Sequence, residues 1–373
     1  MFIDWLTIYQ DFEHDLPILS DRHFLVIDSI TGEDLGTRQP TFKHSGSYST
    51  SITIRISGNR IIVSGNPSRI NRLDNVFGYS TLDQCVGVYN AILAQYHLPA
   101  FTKATKRWQS SFDDDKARVL TDGAVITELH ITDNLAVGEG NEDAFISAIS
   151  SQPYRNSQPR LHTNGKTCDW LTKACRGSTL IYPCVYNKAY ELELHHLTKV
   201  KKHFGIDSKE YNYFIDLINL CKTSGAVRFE QKLKSRFLQR NNLHFWGFED
   251  FSSLHQLQRD FLSIKDKLKV RAMTYESITQ QLIDQGICKT THAANSTTNY
   301  AIQWMHGTRF DFSQSHLQKH RARLRKIGID IALPCDISKF SLIRVKEARE
   351  IVVKPLDIPT WYKKPQTLLR EVA

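Results

Sequence analysis

The chain has 373 residues, 41% hydrophobic and 23% charged with both signs mixed, which excludes a disordered polypeptide and leaves length for two domains. Its formal net charge of +9 is uneven: residues 251–373 hold 20 Lys/Arg against 11 Asp/Glu, so the whole excess sits in the last third. A neutral body with a basic final segment fits a polyanion-binding part better than a uniformly soluble surface.

No basic leader opens the chain, and no run approaches the roughly 18 apolar residues of a membrane helix, so neither targeting nor spanning is expected. The seven cysteines, Cys85, Cys168, Cys175, Cys184, Cys221, Cys288 and Cys335, form no C-x-x-C pair. That argues against a zinc ribbon or a disulfide framework and for a reducing cytoplasm.

In chain order, FIDWLTIYQDF reads as a strand, β-branched and aromatic with partial alternation. SYSTSITIRISGNRIIVSGNPS reads as two strands joined at Ser57-Gly58-Asn59-Arg60, with Gly65-Asn66-Pro67 ending the second. TLDQCVGVYNAILAQY has helical spacing with Thr81 as N-cap. AVITELHITDNLAV is a strand with polar residues set into it, and TLIYPCVYNKAYELELHHL begins as a strand and turns helical. Tyr211 to Cys221 reads as a helix, and GAVRFEQKLKSRFL starts as a strand and ends as a helix. Residues from about 250 to 269 form a bridging helix. The rest is mainly helical: YESITQQLIDQG, a Thr/Asn-rich connection, NYAIQWMHG, then HLQKHRARLRKIG. The fold class is α+β: an antiparallel sheet with packed helices over 1–249, then a mainly helical basic domain over 250–373.

Three strands carry ionisable residues between large apolar ones: Asp4, His130 with Asp133 close behind, and Glu230 after Arg228-Phe229. If the strands are neighbours, Asp4, His130 and Glu230 converge on one face, and two carboxylates with an imidazole suit Mg²⁺ or Mn²⁺. The competing reading of each is a solvated strand position. Tyr186 and Tyr190, four apart, share a face in either a helix or a strand. A tyrosine can act as a covalent nucleophile, but with an ordinary pKa of about 10 it needs a nearby cation, and Lys188 is close in sequence. Packing is the competing reading here too. In the basic third, YESITQQLIDQGI and NYAIQWMHG have loose helix-turn-helix spacing. Lys319, Arg321, Arg323, Arg325 and Lys326 form a dense cationic run able to neutralise phosphates, or simply a solvated helix face.

These pieces together resemble the filamentous-phage replication initiators, the gene II/X type of replication protein. The resemblance covers nearly the whole chain and rests on MFIDWLTIYQDF, VSGNPSRINRLDNVFG, GAVITELHITDN, STLIYPCVYNKAYELE, VRFEQKLKSRFL and HLQKHRARLRKIGIDI, in that order. VYNKAYELE and VRFEQKL are also similar to segments of rolling-circle plasmid initiators. The resemblance implies an origin-nicking domain over 1–249 and a DNA-binding domain over 250–373. It implies binding to double-stranded origin DNA, cleavage of one strand by transesterification with a free 3′-hydroxyl left for host polymerase, partnership with host replication helicase, and rejoining of the displaced single strand. It implies Tyr186 as the attacking residue, Glu230 and Asp4 as metal-holding carboxylates, and Tyr190 as a second nucleophile. His130 stands where related initiators often carry aspartate, which softens the site toward Mn²⁺. Asp133, Glu191 and Glu193 stay open as alternative ligands. A shorter product starting at Met273 is also implied.

The absence of a G-x-x-x-x-G-K-[ST] loop agrees with a phosphotyrosine link that conserves the backbone bond energy without a nucleotide. Two alternatives remain. One is a non-catalytic DNA-binding replication or transcription regulator. The other is a histidine-cluster transposase or relaxase, which Leu129-His130-Ile131 matches with one histidine instead of two.

Overall fold

A computed structural model describes residues 1–17, 19, 24–38, 40–46, 51–110, 119–174, 177–248, 252–266, 275–305, 307–334 and 351–365. Cys175, Cys335 and Met273 lie outside these residues. The strands are β1 (Phe2–Asp11), β2 (Phe24–Ile27), β3 (Asp34–Arg38), β4 (Phe42–Ser45), β5 (Ser51–Ser57), β6 (Arg60–Gly65), β7 (Arg107–Gln109), β8 (Val119–Thr121), β9 (Val125–Ala136), β10 (Gln158–Leu161), β11 (Thr167–Leu171), β12 (Ile181–Asn187), β13 (Ala226–Lys234) and β14 (Lys354–Pro355). The main sheet runs β10-β11-β12-β13-β9-β1-β6-β5-β4, antiparallel throughout, with β14 added to the end of β9. The expected β5–β6 hairpin turns through Gly58-Asn59, with Gly58 at φ +60 in the first loop position. Two short hairpins, β2–β3 and β7–β8, form separate two-stranded sheets and had no clear sequence signal.

The helices are α1 (Leu82–Gln95), α2 (Glu142–Ile149), α3 (Lys188–Leu192), α4 (Thr198–Phe204), α5 (Lys209–Ser224), α6 (Ser235–Arg240), α7 (Ser252–Leu262), α8 (Tyr275–Asp284), α9 (Thr291–Met305) and α10 (Ser315–Lys326). Thr81 caps α1 as expected, in a reciprocal box with Gln84. Strand alternation sorts the central strands into two faces. Leu129, Ile131, Leu135, Val227, Phe229, Leu233 and Val185 lie on the apolar face, buried against α1, α2 and α7. A bulge turns Ile126 to the apolar core, and the even-numbered residues of β12, of β13 and, from Glu128 onward, of β9 form the other, polar face. One end of it is roofed by α3, α5, Val76 and Tyr362.

Two features redraw the domain boundary. Helix α7 belongs to the sheet: Leu254 and Leu257 join one core cluster and Phe261 joins another. Residues 351–365 return from the helical part to the sheet, where β14 pairs with β9 and Leu356 N donates to Asn134 O at 3.0 Å. The sheet body therefore takes in 252–266 and 351–365, while α8, α9 and α10 form a separate core around Ile278, Leu282, Trp304 and Leu324.

The returning segment is fastened by the buried Tyr362 hydroxyl, which donates to Asp74 Oδ1 at 2.6 Å and accepts from Phe77 N at 2.9 Å and from Arg72. Tyr362→Phe leaves the Asp74 carboxylate short of a donor and should cost about 1–3 kcal/mol. Urea unfolding checks this; an unchanged midpoint would show that the fastening is superficial.

Candidate active site

The period-2 register of three ladders assembles the site. Across β12, β13 and β9, Tyr182 lies opposite Lys232 and Lys232 opposite His130; Cys184 opposite Glu230 and Glu230 opposite Thr132; Tyr186 opposite Arg228 and Arg228 opposite Asn134. These side chains share the polar face, and neighbours on adjacent strands come within reach of one another. The Tyr186 hydroxyl donates to Glu230 Oε2 at 3.1 Å, and His130 Nδ1 lies 3.0 Å from Glu230 Oε1. The other nitrogen of His130 meets Glu128 Oε1 at 2.8 Å, and Lys234 also bonds Glu128. The imidazole stacks on Trp5 with centroids 5.9 Å apart.

Asp4 reaches this face through a β-bulge: Ile3 pairs with Ile131 and Trp5 with His130, so Asp4 is the extra residue. Its Oδ1 accepts from Asn66 at 2.7 Å and Asn75 at 2.9 Å, and its Oδ2 from Arg228 at 3.3 Å. Arg228 is fully buried and also donates to Asn134 Oδ1 at 2.9 Å and to the Val76 carbonyl at 2.9 Å.

Asn187 accepts from Tyr190 N at 3.1 Å and so converts strand β12 into helix α3. The switch places Tyr186 and Tyr190 on the wall of one cleft of about 420 Å³. His162, Asp169, Tyr182, Glu191, His195, Glu230 and Lys232 also line it. Lys166 Nζ lies 5.3 Å from the Tyr190 ring centroid. Asp169 is held by Arg160, by His162 and by Tyr182 at 2.5 Å.

Burial, and then the Glu230 charge, push the Tyr186 phenol well above its ordinary pKa, while Arg228 opposes them. Burial alone would raise Glu230, but the hydrogen bond and charge of His130, with Lys232 and Arg228, hold it down at about 2. Burial lowers His130, and its two carboxylate partners outweigh that and raise it. Lys232 is lowered by burial, but Glu230 and other negative neighbours more than offset this, so it stays charged.

The sequence expectations divide accordingly. Tyr186, Tyr190, Glu230 and His130 come together. Lys188 does not serve Tyr186: it is fully buried and its ammonium donates to Asn75 Oδ1 at 2.9 Å and Glu191 Oε2 at 2.6 Å. The cation opposite Tyr186 is Arg228, marked in sequence by its place two residues before Glu230 on the same strand face. Asp133 lies on the other face of β9 from His130. Glu193 pairs with Lys222 at 2.6 Å. His195 and His196 are helical, with His196 facing Glu191 at 3.4 Å.

Asp4, His130 and Glu230 do not fit a metal ion as arranged. The carboxylate of Asp4 is taken up by amide and guanidinium donors, and His130 turns its two nitrogens toward different carboxylates. Of the three, Glu230 alone lines the cleft. Among the described residues no group of three or more His, Cys, Asp or Glu is placed to hold a metal.

The basic run on α10 is largely occupied. Arg321 grips the buried Asp330 with two hydrogen bonds of 2.6 and 2.9 Å, Arg325 donates to the Arg155 carbonyl at 2.6 Å, and Arg323 to Thr297 Oγ1 at 3.3 Å. Lys319 and Lys326 remain exposed. Among the described residues no helix is long and apolar enough to cross a membrane.

Residues 2–251 match the family model for the N-terminal part of the phage gene II replication-associated protein, and residues 282–368 match that for its C-terminal part. The chain is 55% identical over 319 residues to the replication-associated protein of this kind from Escherichia phage If1, covering 85% of this chain and 98% of that one. No solved structure matches.

Arg228→Met should cost about 3–5 kcal/mol, because it leaves Asp4 as a buried charge without its cation. Lys232→Met, at a partly exposed side chain, should cost less than about 1 kcal/mol. Urea titrations of the two variants check the order; equal costs would contradict the buried role of Arg228.

Proposed function

Since this chain belongs to the gene II family of phage replication-associated proteins, we propose that it starts rolling-circle replication by nicking one strand of an origin through Tyr186 and later rejoins the displaced strand. The observation that carries this is the Tyr186 hydroxyl on the cleft wall, hydrogen-bonded to Glu230 at 3.1 Å with Arg228 opposite it on the ladder. The partners are duplex origin DNA, the displaced single strand, and host helicase and polymerase, in the cytoplasm of a bacterial host.

The resting cleft keeps the phenol protonated, so the nucleophile forms in the DNA complex. Tyr186 Oη bonds to phosphorus as its proton leaves along the hydrogen bond to Glu230 and on to water, Glu230 orienting the hydroxyl without keeping the proton. The P–O3′ bond breaks with its electrons on the 3′ oxygen, which takes a proton from water. Lys232 is the single Lys or Arg among the described residues lining the cleft, and its ammonium stabilises charge on the non-bridging oxygens. Tyr190, on the same cleft, attacks when the regenerated origin returns while Tyr186 is occupied. A divalent ion, Mg²⁺ or Mn²⁺, would have to come in with the DNA, since Asp4 is engaged by amide and guanidinium donors and His130 bridges Glu128 and Glu230.

Supercoiled origin plasmid with Mg²⁺ or Mn²⁺ should yield nicked circles carrying covalent protein. Tyr186→Phe should bring both to background, and Lys232→Ala should slow nicking about 10²–10³-fold with DNA binding retained. Tyr190→Phe should nick normally and lose recircularisation. A plasmid that only shifts in mobility would point to a non-catalytic regulator.

A further inference from the structure

The geometry points to helix α9 as a sequence-reading element, with His292, Ser296, Asn299 and Gln303 facing the base edges of a duplex major groove. This rests on the reading of the chain as an origin-binding protein, and it moves the specific contact away from the arginines of α10.

The four positions are spaced 4, 3 and 4 residues apart, so they form one stripe on the helix. His292, Asn299 and Gln303 are exposed and Ser296 is half-buried. The remaining faces of α9 are committed. Ala294, Thr297, Thr298, Ala301 and Trp304 are buried. Asn295 accepts from Thr279 of α8 at 3.2 Å, and Thr298 meets the same hydroxyl at 3.0 Å. Thr297 meets His320 of α10 at 2.9 Å, and Trp304 donates to the Leu333 carbonyl at 2.6 Å. The stripe is the face left for a partner.

Its composition is unlike that of an ordinary solvated helix. Residues 291–305 contain no Asp, Glu, Lys or Arg. A face chosen only for solubility and helix stability favours those charged residues, whereas mid-helix Ser and Asn lower helix propensity. The amides of Asn299 and Gln303 present paired donors and acceptors that match adenine N6 and N7 in the major groove, and a serine hydroxyl can serve either kind of base edge. The stripe spans about 16 Å at 1.5 Å per residue, or about five base pairs.

Exposed cations flank α9 in the chain and lie on α10, as a polyanion partner requires. Exposed Lys289 precedes α9, exposed Arg309 follows it, and exposed Lys319 and Lys326 lie on α10. Helix α8 leads into α9 through a six-residue turn, with Gly286 at φ +64 and the Thr290 hydroxyl accepting from Ala293 N at 3.3 Å. Helices α8 and α9 thus share one core around a turn somewhat longer than that of a helix-turn-helix, with α9 as the second helix. The arginines of α10 hold the arrangement together through Asp330, Thr297 and the Arg155 carbonyl.

The test is a binding selection from a pool of randomised duplexes, using the full chain in a Tyr186→Phe background so that cleavage plays no part. The parent protein should enrich one sequence. Asn299→Ala with Gln303→Ala should lower the preference for that sequence over unselected duplex about tenfold or more, with unselected binding and the thermal midpoint little changed. Lys319→Ala with Lys326→Ala should weaken all duplexes alike and flatten the salt dependence. A stripe variant that keeps the parental preference, or a parent that enriches no sequence, overturns the inference whatever the outcome of the nicking assay.

Discussion

The buried guanidinium of Arg228 is the constraint on which the rest of the sheet body depends. It bonds Asp4 of β1, Asn134 of β9 and the Val76 carbonyl of the loop between β6 and α1, while standing opposite Tyr186 on β12. A buried arginine without partners would be prohibitively costly, so each of these groups must be in place before the face closes. Asn75 extends the knot to Lys188, and Lys188 to Glu191. The polar face is therefore tied down by hydrogen bonds at its roofed end and open to the cleft at the other. Tyr186 sits at the border between them.

Much of this was legible in the sequence because strand alternation is a strong code. A polar residue set between large apolar ones marked His130, Glu230 and, correctly as a place if not as a ligand, Asp4. Reading Glu128 with His130, and Arg228 with Glu230 and Lys232, needed only the same period-2 rule. The role of Lys188 was not legible from proximity. Asn187 ends the strand just before it, and the resulting turn sends the ammonium inward, away from the neighbouring phenol. Asp4 was misread for a related reason: a bulge re-aims it at two asparagines and an arginine, all distant in sequence.

The basic third shows how charge counting can mislead at the level of single residues. The run at Arg321–Lys326 is cationic, yet its arginines close contacts with Asp330, Thr297 and the sheet body. Only the fold separates cations that build from cations that remain available. The domain boundary was likewise hidden, because residues 351–365 carry no mark of belonging to a sheet that begins about 350 residues earlier. That return makes the helices α8 to α10 an excursion from the body, joined to it on both sides.

We propose that the phenol at the end of β12 is the group that takes the DNA phosphate. Protease digestion and mass mapping of the covalent protein–DNA adduct test it most directly. A nucleotide is expected on the peptide containing Tyr186 after a single nicking event. An adduct first formed on another residue, or a nick with no protein attached, would contradict it.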